Sequence, residues 1–350
     1  MAVKTLVSHG DMERILGWSS AKGRKLLFYH NDPDGICSAT LWMKAFSGFE
    51  PVPREGPMLQ DSFVQWIADQ DPDLLVFLDL PVDQEGKSIK WLVGHVEGLN
   101  VIVVDHHLPD ADLSSGNIVH INNRFVRGLE GKYIPASYLV YKILDSAGIG
   151  MESCKWVAGV GIVGDYGQKD CASMLRGAGG LKKMGAAADL IAAAVTLKGR
   201  QGAGRALKIM LNADGIEDLL GRKTLALWKK HVDNEVARVL QDYERGKEEM
   251  PGMGMVIFRL NSRLNMVSVI STLLSAKYPD KAIIIYKLSS NGLWKVSGRL
   301  QSGRLDLGSM FKKCVGGIGS GGGHPKAAGA RVRDWNKFRK RLVSHMGGAK

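Results

Sequence analysis

Residues 25–35 read Lys-Leu-Leu-Phe-Tyr-His-Asn-Asp-Pro-Asp-Gly, and this stretch decides how the chain is read. Lys25–His30 is a short apolar and aromatic run with the composition of a buried strand. The Asn-Asp-Pro-Asp-Gly that follows is turn and helix-cap chemistry. The pattern recurs in Leu74–Asp79 (LLVFLD) and Asn100–Asp105 (NVIVVD), with a fourth run at Ile118–Ile121. Helical spacing lies between and after them, at Ile36–Phe46, Gln84–Gly94, Ala136–Ala147 and Glu152–Val163. Continuously apolar strands alternating with helices predict an α/β fold with a parallel sheet covered on both faces. Such sheets bind ligands outside the carboxyl ends of their strands, where His30, Asp79 and Asp105 fall.

Composition narrows the class. The chain has 350 residues, 45% hydrophobic and 23% charged, which is room for two or three domains of ordinary globular character. No apolar run reaches the length of a membrane span; the longest candidate, around Ala186–Leu197, contains Asp189. The first residues carry no long apolar stretch, so a secretory leader is not expected. Cys37, Cys154, Cys171 and Cys314 are scattered, with no C-x-x-C pair. That argues against a disulfide framework and a thiolate zinc site, and suits a reducing cytoplasm.

Charge is unevenly distributed. The chain carries +12, from 47 Lys+Arg against 35 Asp+Glu. Residues 251–350 hold 18 basic and three acidic residues, a net +15, which leaves −3 on the first 250. A basic module on a near-neutral body predicts affinity for a polyanion. That module reads as strand Met255–Leu260, helix Met266–Lys277, strands Ala282–Tyr286 and Trp294–Arg299, a helix near Asp306–Val315, a glycine tract and a last helix near Trp335–His345. Residues 172–215 read as short helices joined by loops, and Leu225–Glu249 as one long helix stopped by Pro251-Gly252. The expected organisation is a catalytic domain at 1–190, a helical connector at 191–250 and a smaller basic α/β substrate-binding domain at 251–350.

Four clusters carry the chemistry: His30-Asn31-Asp32-Pro33-Asp34-Gly35, Asp79, Asp105-His106-His107, and Gly164-Asp165-Tyr166-Gly167. Each alone reads as a turn, a helix cap or a surface pair. Together they crowd carboxylates at one sheet edge, where like charges raise one another's pKa and weaken the fold unless a cation neutralises them. A pair of divalent metals resolves the conflict. Oxygen and imidazole ligands without thiolate suit manganese or magnesium. Two such ions about 3.5–4 Å apart form the clamp used for displacement at phosphorus. Gly159–Gly164 and Gly317–Gly322 both fit G-x-G-x-x-G, but neither follows a strand, so neither is read as a dinucleotide site.

The full set is His-x-Asp-x-Asp-Gly, a strand-end Asp, Asp-His-His, a fourth Asp and a late Gly-Gly-Gly-His. It resembles the DHH phosphoesterase family, and Gly321–Gly329 resembles that family's associated C-terminal domain. The motifs run in family order from residue 30 to residue 329, which covers most of the chain. The resemblance implies that His30, Asp32 and Asp79 hold one metal, and Asp34, Asp79, His106 and Asp165 a second, with Asp79 bridging. It implies that Asp105 orients a histidine and that His107 meets the scissile phosphate or the leaving oxygen. Gly321, Gly322, Gly323 and His324, with Arg299, would bind substrate phosphate across a cleft between the domains. The chain is too short for the extra C-terminal domains of large bacterial RecJ exonucleases and resembles the short RecJ-like and nanoRNase types.

The expected function is a Mn2+-dependent exonuclease on single-stranded DNA or RNA, of 3′→5′ polarity, using two ions, with Mg2+ as the substitute. One alternative is hydrolysis of small nucleotides: 3′-phosphoadenosine 5′-phosphate, cyclic dinucleotides or nanoRNA. Another is a non-catalytic nucleic-acid-binding scaffold in replication or repair. Expected partners are single strands or short oligonucleotides, with a homodimer and a replication or repair protein left open, and no membrane.

Overall fold

A computed structural model describes residues 6–289 and 292–347. Helix α1 (His9–Ser20), capped by the Ser8 hydroxyl, precedes β1 (Lys25–His30), α2 (Pro33–Ala45), β2 (Phe49–Arg54), α3 (Asp61–Asp69) and β3 (Leu74–Leu78). Then come α4 (Gly86–His95), β4 (Asn100–Asp105), β5 (Ile118–Asn122), α5 (Ala136–Ser146) and α6 (Lys155–Gly164). Among the described residues the five strands form one parallel sheet in the order β2-β1-β3-β4-β5, as the continuous apolar runs predict. Strand periodicity sorts its side chains onto two faces. Leu27, Tyr29, Val76 and Ile102 join the core formed with α2, α5 and α6, whereas Leu26, Phe28, Phe77 and Val103 pack with Ile67 of α3 and Leu92 of α4. Each such side chain, fully buried, contributes roughly 1.5–3 kcal/mol.

Neither α1, α3 nor β2 is announced by the apolar pattern. In β2 the cause is Pro51 and Pro53, tolerated because this strand is a sheet edge. Residues 172–215 also depart from the reading. After α7 (Ala172–Leu175) comes α8 (Leu181–Leu211), a 31-residue helical run bent at Gly199, where φ is 55°. On either side of that bend, alanine and lysine favour helix strongly enough to carry the run through Gly185, Gly202 and Gly204. Ala187, Ala194, Ala203 and Ala206 supply its buried face. Next are α9 (Ile216–Leu220) and α10 (Lys223–Gly246).

The chain divides into two compact units, Met1–Lys229 and Lys230–Lys350, and the division falls within α10. The second unit continues with β6 (Glu248–Met250), β7 (Met255–Arg259), α11 (Val267–Lys277), β8 (Ala282–Leu288) and β9 (Trp294–Arg299). It ends with α12 (Leu307–Cys314), β10 (Gly319–His324), β11 (Ala327–Val332) and α13 (Trp335–Gly347). Its strands form a second sheet, β10-β11-β9-β8-β7-β6, antiparallel except for the β7–β8 pair. Phe311 of α12 and Phe338 of α13 meet edge to face at 5.2 Å in its core. The glycine tract, given no regular structure in the sequence reading, is the edge strand β10. Of the two glycine-rich decoys, one lies inside helix α6 and the other runs into β10. Among the described residues no helix is long and apolar enough to cross a membrane.

Candidate metal centre

Strands β1, β3 and β4 are neighbours, so the residues at or just beyond their carboxyl ends lie side by side. His30 ends β1, Asp105 ends β4, and Asp79 follows β3 with its backbone N–H bonded to Val104 O at 2.9 Å. Asp79 has φ of 59°, a left-handed conformation that Asp tolerates better than most side chains. Its carboxylate, 1% exposed, faces two ways. Oδ2 lies 3.3 Å from His30 Nδ1, while Oδ1 lies 3.3 Å from His106 Nε2 and 3.9 Å from His107 Nδ1.

The first motif is built by the start of α2. Asp32 is its N-cap, accepting the Gly35 N–H at 2.9 Å, and its Oδ2 sits 2.8 Å from His30 Nδ1. Asp34, the second residue of α2, is buried and accepts the N–H groups of Ala136 at 2.7 Å and Ser137 at 3.1 Å, together with the Ser137 hydroxyl. It therefore caps α5 from a different helix. Gly161 of α6 passes directly over this contact, where a Cβ would come 2.8 Å from Asp34 Oδ1. Asp165, at the end of α6, lies 3.4 Å from His106 Nε2 and accepts the Tyr133 hydroxyl at 2.7 Å. Asp105 takes His107 Nδ1 at 2.8 Å and the His107 N–H at 3.2 Å. The histidine it holds is thus His107. Asn122 fixes the same turn by donating to His107 O at 2.9 Å.

Three sets of ligand-type atoms result: His30, Asp32 and Asp79; Asp79, His106 and His107; Asp34, His106 and Asp165. Within each set the atoms all lie within 4.8 Å of one another. Asp79 and His106 each belong to two sets. The electrostatics are those of a crowded carboxylate site. Burial, then the Asp32 charge, lifts Asp79 to about 7. Burial, then Asp79, lifts Asp34 to about 7, and burial with Asp34 and Asp79 lifts Asp165 to about 8. Burial opposes protonation of His30, yet Asp32 and Asp79 raise it well above its usual value. Asp32 in turn is held low, its burial outweighed by His30.

Asp79 Oδ1 and His106 Nδ1 are buried without a hydrogen-bond partner among the described residues. Buried polar atoms are rarely left so unless something else engages them. With oxygen and imidazole donors and three carboxyls pushed upward by one another, the residues fit hard divalent cations.

His30, Asp32, Asp34, Asp79, Asp105, His106, His107 and Asp165 are all brought together in the first unit. Arg299, Gly321, Gly322, Gly323 and His324 lie in the second. There His324 and Arg299 are both in register with Ala327 on either side of β11, which puts them in one row across three strands. Arg299 Nη2 also reaches Ser268 Oγ at 3.3 Å. Sequence reasoning missed Tyr133, Ser137 and Asn122. The Pro-Ala-Ser at residues 135–137, which reads as a helix start, could have pointed to Ser137; nothing local marks Tyr133.

Residues 25–175 match the DHH family, N-terminal domain, and residues 252–344 match the DHHA1 domain. The chain belongs to the DHH family. Members of this family are metal-dependent phosphoesterases. No curated protein matches this DHH chain. Among solved structures, RecJ from Thermus thermophilus in complex with Mn2+ is similar at a TM-score of 0.72 and 15% identity. The match covers 99% of this chain and 56% of that one, so this chain spans little more than half of the Thermus protein. An exonuclease RecJ bound to manganese is similar at a TM-score of 0.68 and 16% identity, covering 98% of this chain and 96% of that one. The pGpG-specific phosphodiesterase PggH from Vibrio cholerae is similar at a TM-score of 0.52 and 15% identity, covering 93% and 100%. At these identities the likeness is one of fold.

Proposed function

We propose that this DHH chain is a manganese-dependent phosphodiesterase that removes nucleotides from single-stranded DNA or RNA, digesting 3′→5′, through a two-metal centre. Asp79 carries the reading. Its two oxygens face separate histidines, the arrangement a bridging carboxylate needs. His30, Asp32 and Asp79 would hold one ion, and Asp34, Asp79, His106 and Asp165 the other. When bound, the ions supply Lewis acidity toward the phosphate and a water of lowered pKa. Around them the chain's own groups have distinct tasks. His107, held by Asp105 as an imidazolium, donates a proton or hydrogen bond to the leaving oxygen. Tyr133 orients Asp165 by donating its hydroxyl to the carboxylate. His324 and Arg299, with the backbone N–H groups of Gly321, Gly322 and Gly323, bind a substrate phosphate, since backbone without Cβ lets an anion approach. The +15 charge of residues 251–350 supports a polymeric substrate.

A second reading is favoured by length. PggH is covered completely by this chain, and its stated substrate is a dinucleotide. Small nucleotides and nanoRNA are therefore the competing substrates. Digestion with Mn2+ of 5′- and 3′-labelled DNA and RNA of graded length, beside 3′-phosphoadenosine 5′-phosphate and cyclic dinucleotides, separates the two. Hydrolysis of long strands supports the exonuclease; cleavage confined to short substrates overturns it. Hydrolysis of nothing in the panel would favour a nucleic-acid-binding scaffold.

A further inference from the structure

We infer that α3 carries a base-stacking shelf, formed by Phe63 and Trp66, for a single strand running outward from the metal centre; this rests on the nucleic-acid reading above. The two side chains stand three apart on one helix and so share a face. Their rings are parallel, 14° apart, with centroids at 5.3 Å. Phe63 is anchored edge-on against Phe28 of the core at 5.7 Å, and the Arg54 guanidinium covers it at 3.9 Å. Trp66 is therefore stacked on an anchored ring, yet it is 39% exposed.

The shelf's position follows from the sheet. Arg54 ends β2 in register with His30, one strand from the candidate ligands. The row Arg54, Phe63, Trp66 thus starts at the edge of the metal centre and leads away along α3. Its cation favours a polyanion over an apolar protein partner. Arg54 is steadied by donating Nη2 to Met58 O at 2.6 Å, and no ion pair between Arg54 and a carboxylate is formed among the described residues. Aromatic steps beside unpaired cations are how single strands are held without regard to base.

The test uses the full chain, with Trp66→Ala and Trp66→Phe. Binding of a fluorescent 12-nucleotide strand is measured in chelator across a salt series, and dinucleotide hydrolysis is measured with Mn2+. Removing one stacking step should weaken the 12-mer on the order of ten- to a hundredfold. The salt slope should be unchanged, because every phosphate keeps its cation. Trp66→Phe should recover most of the affinity, and dinucleotide turnover should not move. Unchanged 12-mer affinity overturns the shelf, while hydrolysis of long strands by the same variant leaves the nuclease reading standing. Equal losses on 12-mer and dinucleotide also overturn it, since the ring then serves the fold. Trp66-dependent binding by a chain that hydrolyses nothing upholds the shelf and overturns the nuclease.

Discussion

Asp105 grips His107 twice, through the ring Nδ1 at 2.8 Å and the backbone N–H at 3.2 Å. Burial disfavours the imidazolium, but the Asp105 charge outweighs it and lifts His107 to about 9. Asp105→Asn keeps an acceptor and removes the charge. The alkaline limb of the pH–rate profile should then move toward neutrality, with turnover down about a hundredfold, the usual weight of a positioned acid. A limb that stays in place would separate His107 from proton transfer.

Asp79→Asn should be the most damaging ligand change, because it loosens both proposed ions at once. Chelation should abolish activity of the unaltered protein, and Mn2+ should restore it where Ca2+, with its longer bonds and larger ligand count, does not. Undiminished hydrolysis by the Asn variant would sink the two-metal centre.

The Tyr133 hydroxyl donates to Asp165 and fixes which way its carboxylate faces. Tyr133→Phe should lower Mn2+ affinity about ten- to a hundredfold, the cost typical of removing a partner of a ligand. Stability should change by only about 1 kcal/mol, one hydrogen bond. Calorimetric titration beside thermal unfolding separates the effects, and unchanged affinity would leave the hydroxyl without a role at the metal.

Without metal, stability should fall as pH rises from about 4 to about 9. The folded values of Asp79 and Asp34, about 7, and of Asp165, about 8, lie above those of unfolded carboxyls, so protonation favours the fold and is lost across this window. His30 and His107, also raised, contribute stability below their unfolded values and lose it as pH climbs through the folded ones. Asp32 and Asp105, held low, act oppositely and only in acid. Mn2+ should therefore raise the melting temperature more at pH 8 than at pH 5, and its binding at pH 7 should release protons. Calorimetry in buffers of different ionisation enthalpy reads the release; equal heats would refute it.

On α13 the structure splits a basic cluster in two. Arg339 pairs with Glu248, and Arg341 donates to the carbonyls of Cys314 at 2.8 Å and Gly316 at 2.7 Å. Lys337 and Lys340 are exposed. Replacing the lysines by Ala should flatten the salt dependence of strand binding by about 0.7 for each phosphate no longer neutralised, and spare stability. Arg341→Ala should instead destabilise by about 1–3 kcal/mol through unsatisfied carbonyls. Unaltered slopes in the lysine variants would remove α13 from the binding surface.

What could be read from sequence was whatever a strand announces by itself. Runs such as Leu74–Leu78 are apolar because both sheet faces are covered, and His30, Asp79 and Asp105 stand out as the polar residues that end or follow them. Strand β10 is the opposite case. Gly-Ser-Gly-Gly-Gly-His has no strand propensity, and its conformation comes from pairing with β11 and from α12 packed against it. Tyr133 was hidden for a different reason. Its partner Asp165 is 32 residues away, and only the fold brings the two together.

Asp34 shows what such a fold implies over generations of sequence change. The same carboxylate that stands in the acidic cluster also caps α5 through two backbone N–H groups and one hydroxyl. Asp79 and His106 have buried atoms that satisfy no such duty. A lineage that abandoned hydrolysis and kept the fold would be free to lose Asp79 and His106 early, while Asp34 persisted as a fossil of the site for reasons of architecture alone.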